Sequence, residues 1–184
     1  MATLIYSMSV SLDGYIAGPD GAIDWSAPDE ELMRFHNKQT RELTGYLAGR
    51  GVYEAMLGWE TAEQTRTGPQ ELEFARIWKA IPKVVFSTSL TTVQGNARLA
   101  GRDVAAEVAE LKNQPGGGLV GVGGAGLAAS LAEKDLIDEY RLFVSPVVLG
   151  GGTPYFPPLP KRLDLELIET RNFSQVVYLR YRRS

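Results

Sequence analysis

The run Gly121-Val122-Gly123-Gly124-Ala125-Gly126 constrains this chain more than any other segment. It ends a short apolar stretch, Leu119–Val122, that reads as a buried strand, and it opens Ala125–Glu133, which reads as a helix. A strand that turns through glycines into a helix leaves free backbone N–H groups at the positive end of the helix dipole, which favours a phosphate. The same glycines also suit close helix–strand packing with no ligand at all. The spacing is G-x-G-x-x-G, yet it comes late in the chain and no repeated strand–helix–strand order surrounds it. The next strand, Tyr140–Val144, ends without an acid to hold a ribose. The expectation is a phosphate-binding turn outside a Rossmann domain, with a Rossmann-type NAD enzyme as the alternative.

Gly49-Arg50-Gly51 is a second junction of this kind, between the apolar Tyr46-Leu47-Ala48 and a helix expected over Val52–Leu57. Its Arg50 guanidinium has the planar geometry that takes a phosphate through two N–H groups. Two such turns suggest a dinucleotide. Ser87-Thr88-Ser89, at the end of the β-branched segment Lys83–Ser87, offers hydroxyl donors suited to a ribose phosphate. An exposed arginine and a Ser/Thr turn are also common as plain structure.

Around these junctions the chain alternates between strand and helix patterns. A strand is expected over Thr3–Leu12, ending at the turn pair Asp13-Gly14. Ser26, before Pro28 and three acids, reads as a helix N-terminus, and Leu32, Phe35, Gln39 and Leu43 carry a helical period to about Thr44. Further helices are expected over Gln70–Lys79 and from Val104 to Asn113, and a weaker strand at Ala97–Leu99. After Leu136 the pattern becomes strand-rich, with Glu139–Val148 and a hairpin of Leu165–Thr170 and Gln175–Arg182. This order predicts a mixed sheet covered by helices, and 184 residues suit a single domain, 1–184.

Composition narrows the function. With no cysteine there is no thiolate nucleophile and no Cys-based zinc site. The one histidine, His36, falls mid-helix, where a surface or packing role is expected, so histidine-based hydrolysis and metal schemes lose support. No G-x-x-x-x-G-K-[ST] occurs, and a net charge of −3 gives no electrostatic reason to bind nucleic acid or an anionic membrane. The N-terminal segment has neither the basic nor the apolar region of a leader, and the expected location is the cytoplasm. Hydride transfer survives these exclusions because the nicotinamide carries the chemistry and the protein need only orient two rings.

Taken in order, Ser9–Ala17, Gly49–Glu54, Lys83–Ser87, Gly123–Gly126 and Leu136–Tyr140 continuing through Pro146–Gly150 to Gly152-Thr153-Pro154 resemble the dihydrofolate reductase superfamily. The resemblance is closer to the branch containing the C-terminal reductase domain of bacterial riboflavin-biosynthesis deaminase-reductases. It implies a three-layer α/β/α fold of the dihydrofolate reductase type, with a mostly parallel mixed sheet and an antiparallel C-terminal strand. It implies NADPH as cofactor, with Ala17 and Gly18 near the nicotinamide and Gly49, Arg50, Gly51 and Val52 beside the pyrophosphate. Ser87 and Thr88 would meet the adenosine phosphate, and Gly123, Gly124, Ala125 and Gly126 the pyrophosphate from across the sheet. Relatives of this kind are often dimers, so a homodimer is expected.

On the substrate side two acids are candidates for catalysis. Glu31 lies near the start of the first helix, four residues before Phe35, where folate reductases place a pterin-binding acid; acids there also simply complement the helix dipole. Asp13 lies beside the expected pocket, or in an ordinary Asp-Gly turn. Trp25 and Trp59 could wall a flat ring or belong to the core. The chain lacks the deaminase domain of the bifunctional riboflavin enzymes. The resulting expectation is an NADPH-dependent reductase acting on a small pteridine, pyrimidine or related heterocycle, or on its ribosyl-derived imine or carbonyl. A non-catalytic NADPH-binding or regulatory protein on the same fold is the alternative.

Overall fold

The computed structural model describes residues 1–184. Its strands are β1 (Ala2–Ser11), β2 (Tyr15–Ala17), β3 (Leu43–Gly49), β4 (Lys83–Phe86), β5 (Ala97–Leu99), β6 (Gly118–Gly123), β7 (Glu139–Ser145), β8 (Thr153–Pro154), β9 (Leu165–Phe173) and β10 (Val176–Arg183). Its helices are α1 (Glu30–Arg41), α2 (Arg50–Met56), α3 (Ala62–Thr65), α4 (Pro69–Ala80), α5 (Val104–Asn113) and α6 (Ala125–Glu133). Eight strands form one sheet in the order β5-β4-β3-β6-β1-β7-β10-β9. All pairs from β5 to β7 are parallel, and β10 runs antiparallel to both β7 and β9. This is the mixed three-layer α/β fold expected from the sequence.

Alternation along β1 explains the layers, because successive side chains of a strand point to opposite faces. Leu4, Tyr6 and Val10 pack with Val108 of α5 and with Leu127, Ala128 and Leu131 of α6. On the other face Phe143 of β7 and Tyr178 of β10 pack with Leu32 and Phe35 of α1. Ile5, Ser7 and Ser9 share that second face, where α4 lies beside α1. The apolar runs Leu4-Ile5-Tyr6 of β1 and Val84-Val85-Phe86 of β4 follow from burial of parallel strands on both faces.

Several boundaries differ from the sequence expectation, among them the start of α2, where Arg50 and Gly51 are already helical ahead of Val52. The cap of α1 is Asp29, whose carboxylate accepts the Leu32 N–H at 2.8 Å; Ser26 instead sits in a one-turn 3₁₀ helix, Asp24–Ser26, and donates to the Ile23 carbonyl. The helix ends at Arg41, not Thr44, because Leu43 already belongs to β3 and pairs with Leu119. β7 stops at Ser145, three residues short of Val148, because Pro146 brings no N–H to the ladder. The small ribbon of β2 and β8 had no signal beyond two or three residues.

Candidate active site

The parallel sheet delivers its carboxyl ends to one side of the molecule. Register places Ala48 of β3 opposite Gly123 of β6, and Gly49 opposite Phe86 of β4. The turns that follow, Gly49-Arg50-Gly51, Ser87-Thr88-Ser89 and Gly123-Gly124-Ala125-Gly126, therefore adjoin in space. Arg50 ties two of them together: Nη1 donates to Ser89 Oγ at 2.7 Å and Nε to Glu54 Oε1 at 2.9 Å. Ser87 Oγ accepts the N–H groups of Ser89 and Leu90 at 3.2 and 3.0 Å, closing the turn, while Thr88 stays exposed. Gly124 caps α6 with φ +109°, a left-handed conformation that a side chain strains, and lies against Gly49 and Val52.

The glycines of the late motif divide into two kinds. A Cβ on Gly121 would lie 2.5 Å from Tyr46 Cδ2, and one on Gly123 would meet the Tyr46 hydroxyl, with Val52 Cγ1 at 2.9 Å. These two are buried and bare because the Tyr46 ring lies across β6, which is the packing role; the phosphate role read for Gly123 from its spacing has a steric explanation here. Gly126, the second residue of α6, is exposed and helical, and a Cβ there would meet nothing within 4 Å. Gly51, the second residue of α2, is the same. Neither packing nor backbone conformation accounts for these two, and both leave main chain open at helix starts on adjoining strand ends.

Ala17 closes β2 and pairs with Thr153 of β8, and Gly18 begins a turn in which its N–H donates to the Ala22 carbonyl at 3.0 Å. Gly152, at φ +127°, admits the Ala17 carbonyl where any side chain would collide with it. Asp13 fixes this corner. Its carboxylate accepts Ser11 Oγ at 2.6 Å, Leu149 N–H at 3.0 Å and Gly150 N–H at 2.7 Å. These bonds, the Ser11 one foremost, hold its pKa below the ordinary carboxylate value. An acid so committed stays ionised and joins the loop after β1 to the loop after β7.

Glu31 is exposed in the first turn of α1 and makes no ion pair, whereas Phe35 turns inward onto Phe173 and Tyr178. The structure does not bring Glu31 and Asp13 together. It opens instead a cavity of about 250 Å³ under α1, lined on its polar side by Ser7, Ser9, His36, Gln39, Tyr46 and Arg141. Its apolar side includes Met56, Phe74, Trp78 and Phe143. His36 stacks on Phe143 with ring centroids 4.3 Å apart, and burial lowers its pKa to about 4, so the ring is neutral near pH 7. Burial likewise pushes the Tyr46 hydroxyl up to about 12. Trp25 donates its indole N–H to Ala22, and Trp59 packs on Phe74 under Arg66; neither lines this cavity. The alternating serines of β1 and a lone arginine within the apolar strand Tyr140–Val144 were the sequence signals for it.

A mixed sheet of this order, with glycine turns at its carboxyl ends and a cavity under the first helix, defines a dihydrofolate reductase-like α/β protein. The chain belongs to the RibD C-terminal domain family, whose model matches residues 2–179. It is 32% identical over 181 residues to the uncharacterized protein YyaP of Bacillus subtilis (strain 168), covering 95% of this chain and 93% of that one. A structure from Shewanella sp. PV-4, assigned by its name to riboflavin biosynthesis, superposes with a TM-score of 0.77 at 25% identity, covering 100% of this chain and 99% of that one. Dihydrofolate reductase from Enterococcus faecalis, complexed with NADP(H) and RAB-propyl, shares the fold with a TM-score of 0.64 at 14% identity, covering 98% and 96% of the two chains.

Proposed function

We propose that this chain is an NADPH-dependent reductase that transfers hydride to a small heterocycle of the pteridine or pyrimidine class, or to a ribosyl-derived imine or carbonyl of one. The observation that carries the reading is the pair of unobstructed glycines, Gly51 and Gly126, at helix starts on adjoining strand ends. Free N–H groups there suit a pyrophosphate. Family membership and the likeness to a reductase complexed with NADP(H) support a reductase-type role.

The residues fit such a cofactor. Gly49, Arg50, Gly51 and Val52 on one side, and Gly123, Gly124, Ala125 and Gly126 on the other, would hold the pyrophosphate. Ser87 and Thr88 would hold the adenosine phosphate, with Arg50 Nη2, which has no protein acceptor, available to the same charge. The backbone of Ala17 and Gly18 would border the nicotinamide, whose reduced ring supplies the hydride when bound. The cavity under α1 receives the substrate, and its apolar wall excludes water from the reacting ring. Asp13 acts as a positioning residue for the Ala17 corner, and Glu31 remains at the exposed start of α1. Neither lines the cavity, which favours water over these acids as the proton source.

A titration of the purified chain with NADPH and NADH, read by tryptophan quenching and repeated with Arg50→Ala, tests the cofactor half. Preference for NADPH that weakens at least tenfold in the variant supports it. Binding of NADH indifferent to Arg50 would point to a different nucleotide site. NADPH oxidation across a panel of pteridines and pyrimidines tests the substrate half.

A further inference from the structure

Polar groups in the cavity under α1 retain hydrogen-bonding capacity that the protein does not use. Ser7, Ser9 and Tyr46 belong to the cavity lining, and their hydroxyls have no hydrogen-bond partner within the chain. Gln39 spends only its amide nitrogen, on the Tyr178 hydroxyl at 2.8 Å. Arg141 is the decisive group. Its side chain is 5% exposed, and Nε and Nη2 both donate to Glu139 Oε2, at 3.1 and 2.8 Å. Its Nη1 has no acceptor.

The charge around Arg141 is not balanced. Glu139 is shared with Arg180, whose Nη2 reaches Oε1 at 2.6 Å. Glu169, 3.8 Å from Arg180, is itself paired with Arg171 at 2.5 Å. Arg141 and Arg180 thus divide the single buried carboxylate of Glu139 between them, so the pair beside the cavity is under-neutralised, while Arg171, half exposed, carries its charge to solvent. Strand pairing sets Ser7 directly beside Arg141, and Arg141 directly beside Arg180, on the same face of the sheet. Across the cavity stand Met56, Phe74 and Trp78. A donor-rich, positively charged floor under an apolar wall selects a flat ring with an anionic oxygen at one end.

We infer that the occupant of this cavity carries a ring carboxylate or ring oxyanion, anchored by Arg141 Nη1 and the Ser7 hydroxyl. This rests on the cavity being the substrate half of the proposed reductase, and it narrows the substrate to an acidic heterocycle.

The test is calorimetric titration of the full chain with benzoate and with benzamide, its neutral counterpart of the same shape, alongside a separate NADPH titration. Benzoate binding at least tenfold tighter than benzamide, with the preference abolished in Arg141→Met and weakened in Ser7→Ala, is the expected result. Ser7→Ala keeps Arg141 and its ion pairs and guards against loss of fold in the arginine variant. Equal affinity for the two probes, or no benzoate binding by a chain that binds NADPH, overturns the anion anchor. A benzoate preference that depends on Arg141 in a chain that ignores NADPH supports the anchor and overturns the cofactor reading instead.

Discussion

Substituting alanine at Gly126 and at Gly121 separates the two roles that a glycine-rich turn can play. At Gly126 a methyl meets nothing within 4 Å and the residue is already helical. Alanine there removes the entropic penalty of glycine in a helix, a gain of about 0.5–1 kcal/mol. For a chain of this size that raises Tm by roughly 1–4 °C. At Gly121 the methyl would sit 2.5 Å from Tyr46 Cδ2 and 3.1 Å from Leu43 Cδ1, inside van der Waals contact on two sides. Overpacking of that kind costs about 1–3 kcal/mol, which lowers Tm by roughly 2–12 °C. Calorimetry of both variants gives the stability half, and NADPH titration gives the other. Gly126→Ala is expected to be the more stable protein and the poorer binder, since its methyl stands where a pyrophosphate must approach main chain. In a Tyr46→Ala background, itself destabilised by the loss of the ring, Gly121→Ala should cost far less than in the wild type. A destabilised Gly126→Ala with unchanged NADPH affinity, or a neutral Gly121→Ala, would refute the division.

His36 supplies a pH signature. Its pKa is lowered to about 4 in the fold from 6.5, so the unfolded chain takes up the proton first as pH falls. Stability is full above pH 6.5 and declines towards pH 4, by on the order of 3 kcal/mol; His36→Phe, measured by Tm from about pH 7.5 to about pH 4.5, should flatten that part of the decline. Asp13→Asn removes the charge that holds Leu149 and Gly150, and hydrogen exchange at those two amides should quicken while the rest of the sheet is unchanged. Because the Asp13 pKa is depressed, wild type should show the same loosening only as pH falls below 3.8. Tyr155→Phe deletes a buried hydroxyl that donates to the carbonyl of Tyr6 at 2.9 Å, with that of Arg141 at 3.3 Å. Urea unfolding should show a loss of about 1–2 kcal/mol.

Legibility of the fold followed local signals. Helices α5 and α6 were readable because apolar spacing marks their buried sides and, for α6, Gly124 marks the start. The start of α1 was less so, since Ser26 and Asp29 are both competent caps and only tertiary placement favours Asp29. The strand-to-helix glycine turns proposed to hold the cofactor were legible because they are continuous in sequence. What the spacing did not show is that Gly121 and Gly123 also clear room for the ring of Tyr46, far earlier in the chain on β3. The cavity under α1 was hidden for the same reason: Ser7, Tyr46 and Arg141 come from strands far apart in sequence, and His36 comes from α1.

The central claim is that a dinucleotide lies across the two glycine turns, and amide chemical-shift mapping of the labelled chain with NADPH tests it most directly. Shifts concentrated at Gly51, Val52, Gly126, Ser87, Ala17 and Gly18 are predicted. Shifts confined to other surfaces, or none at saturating NADPH, would contradict it.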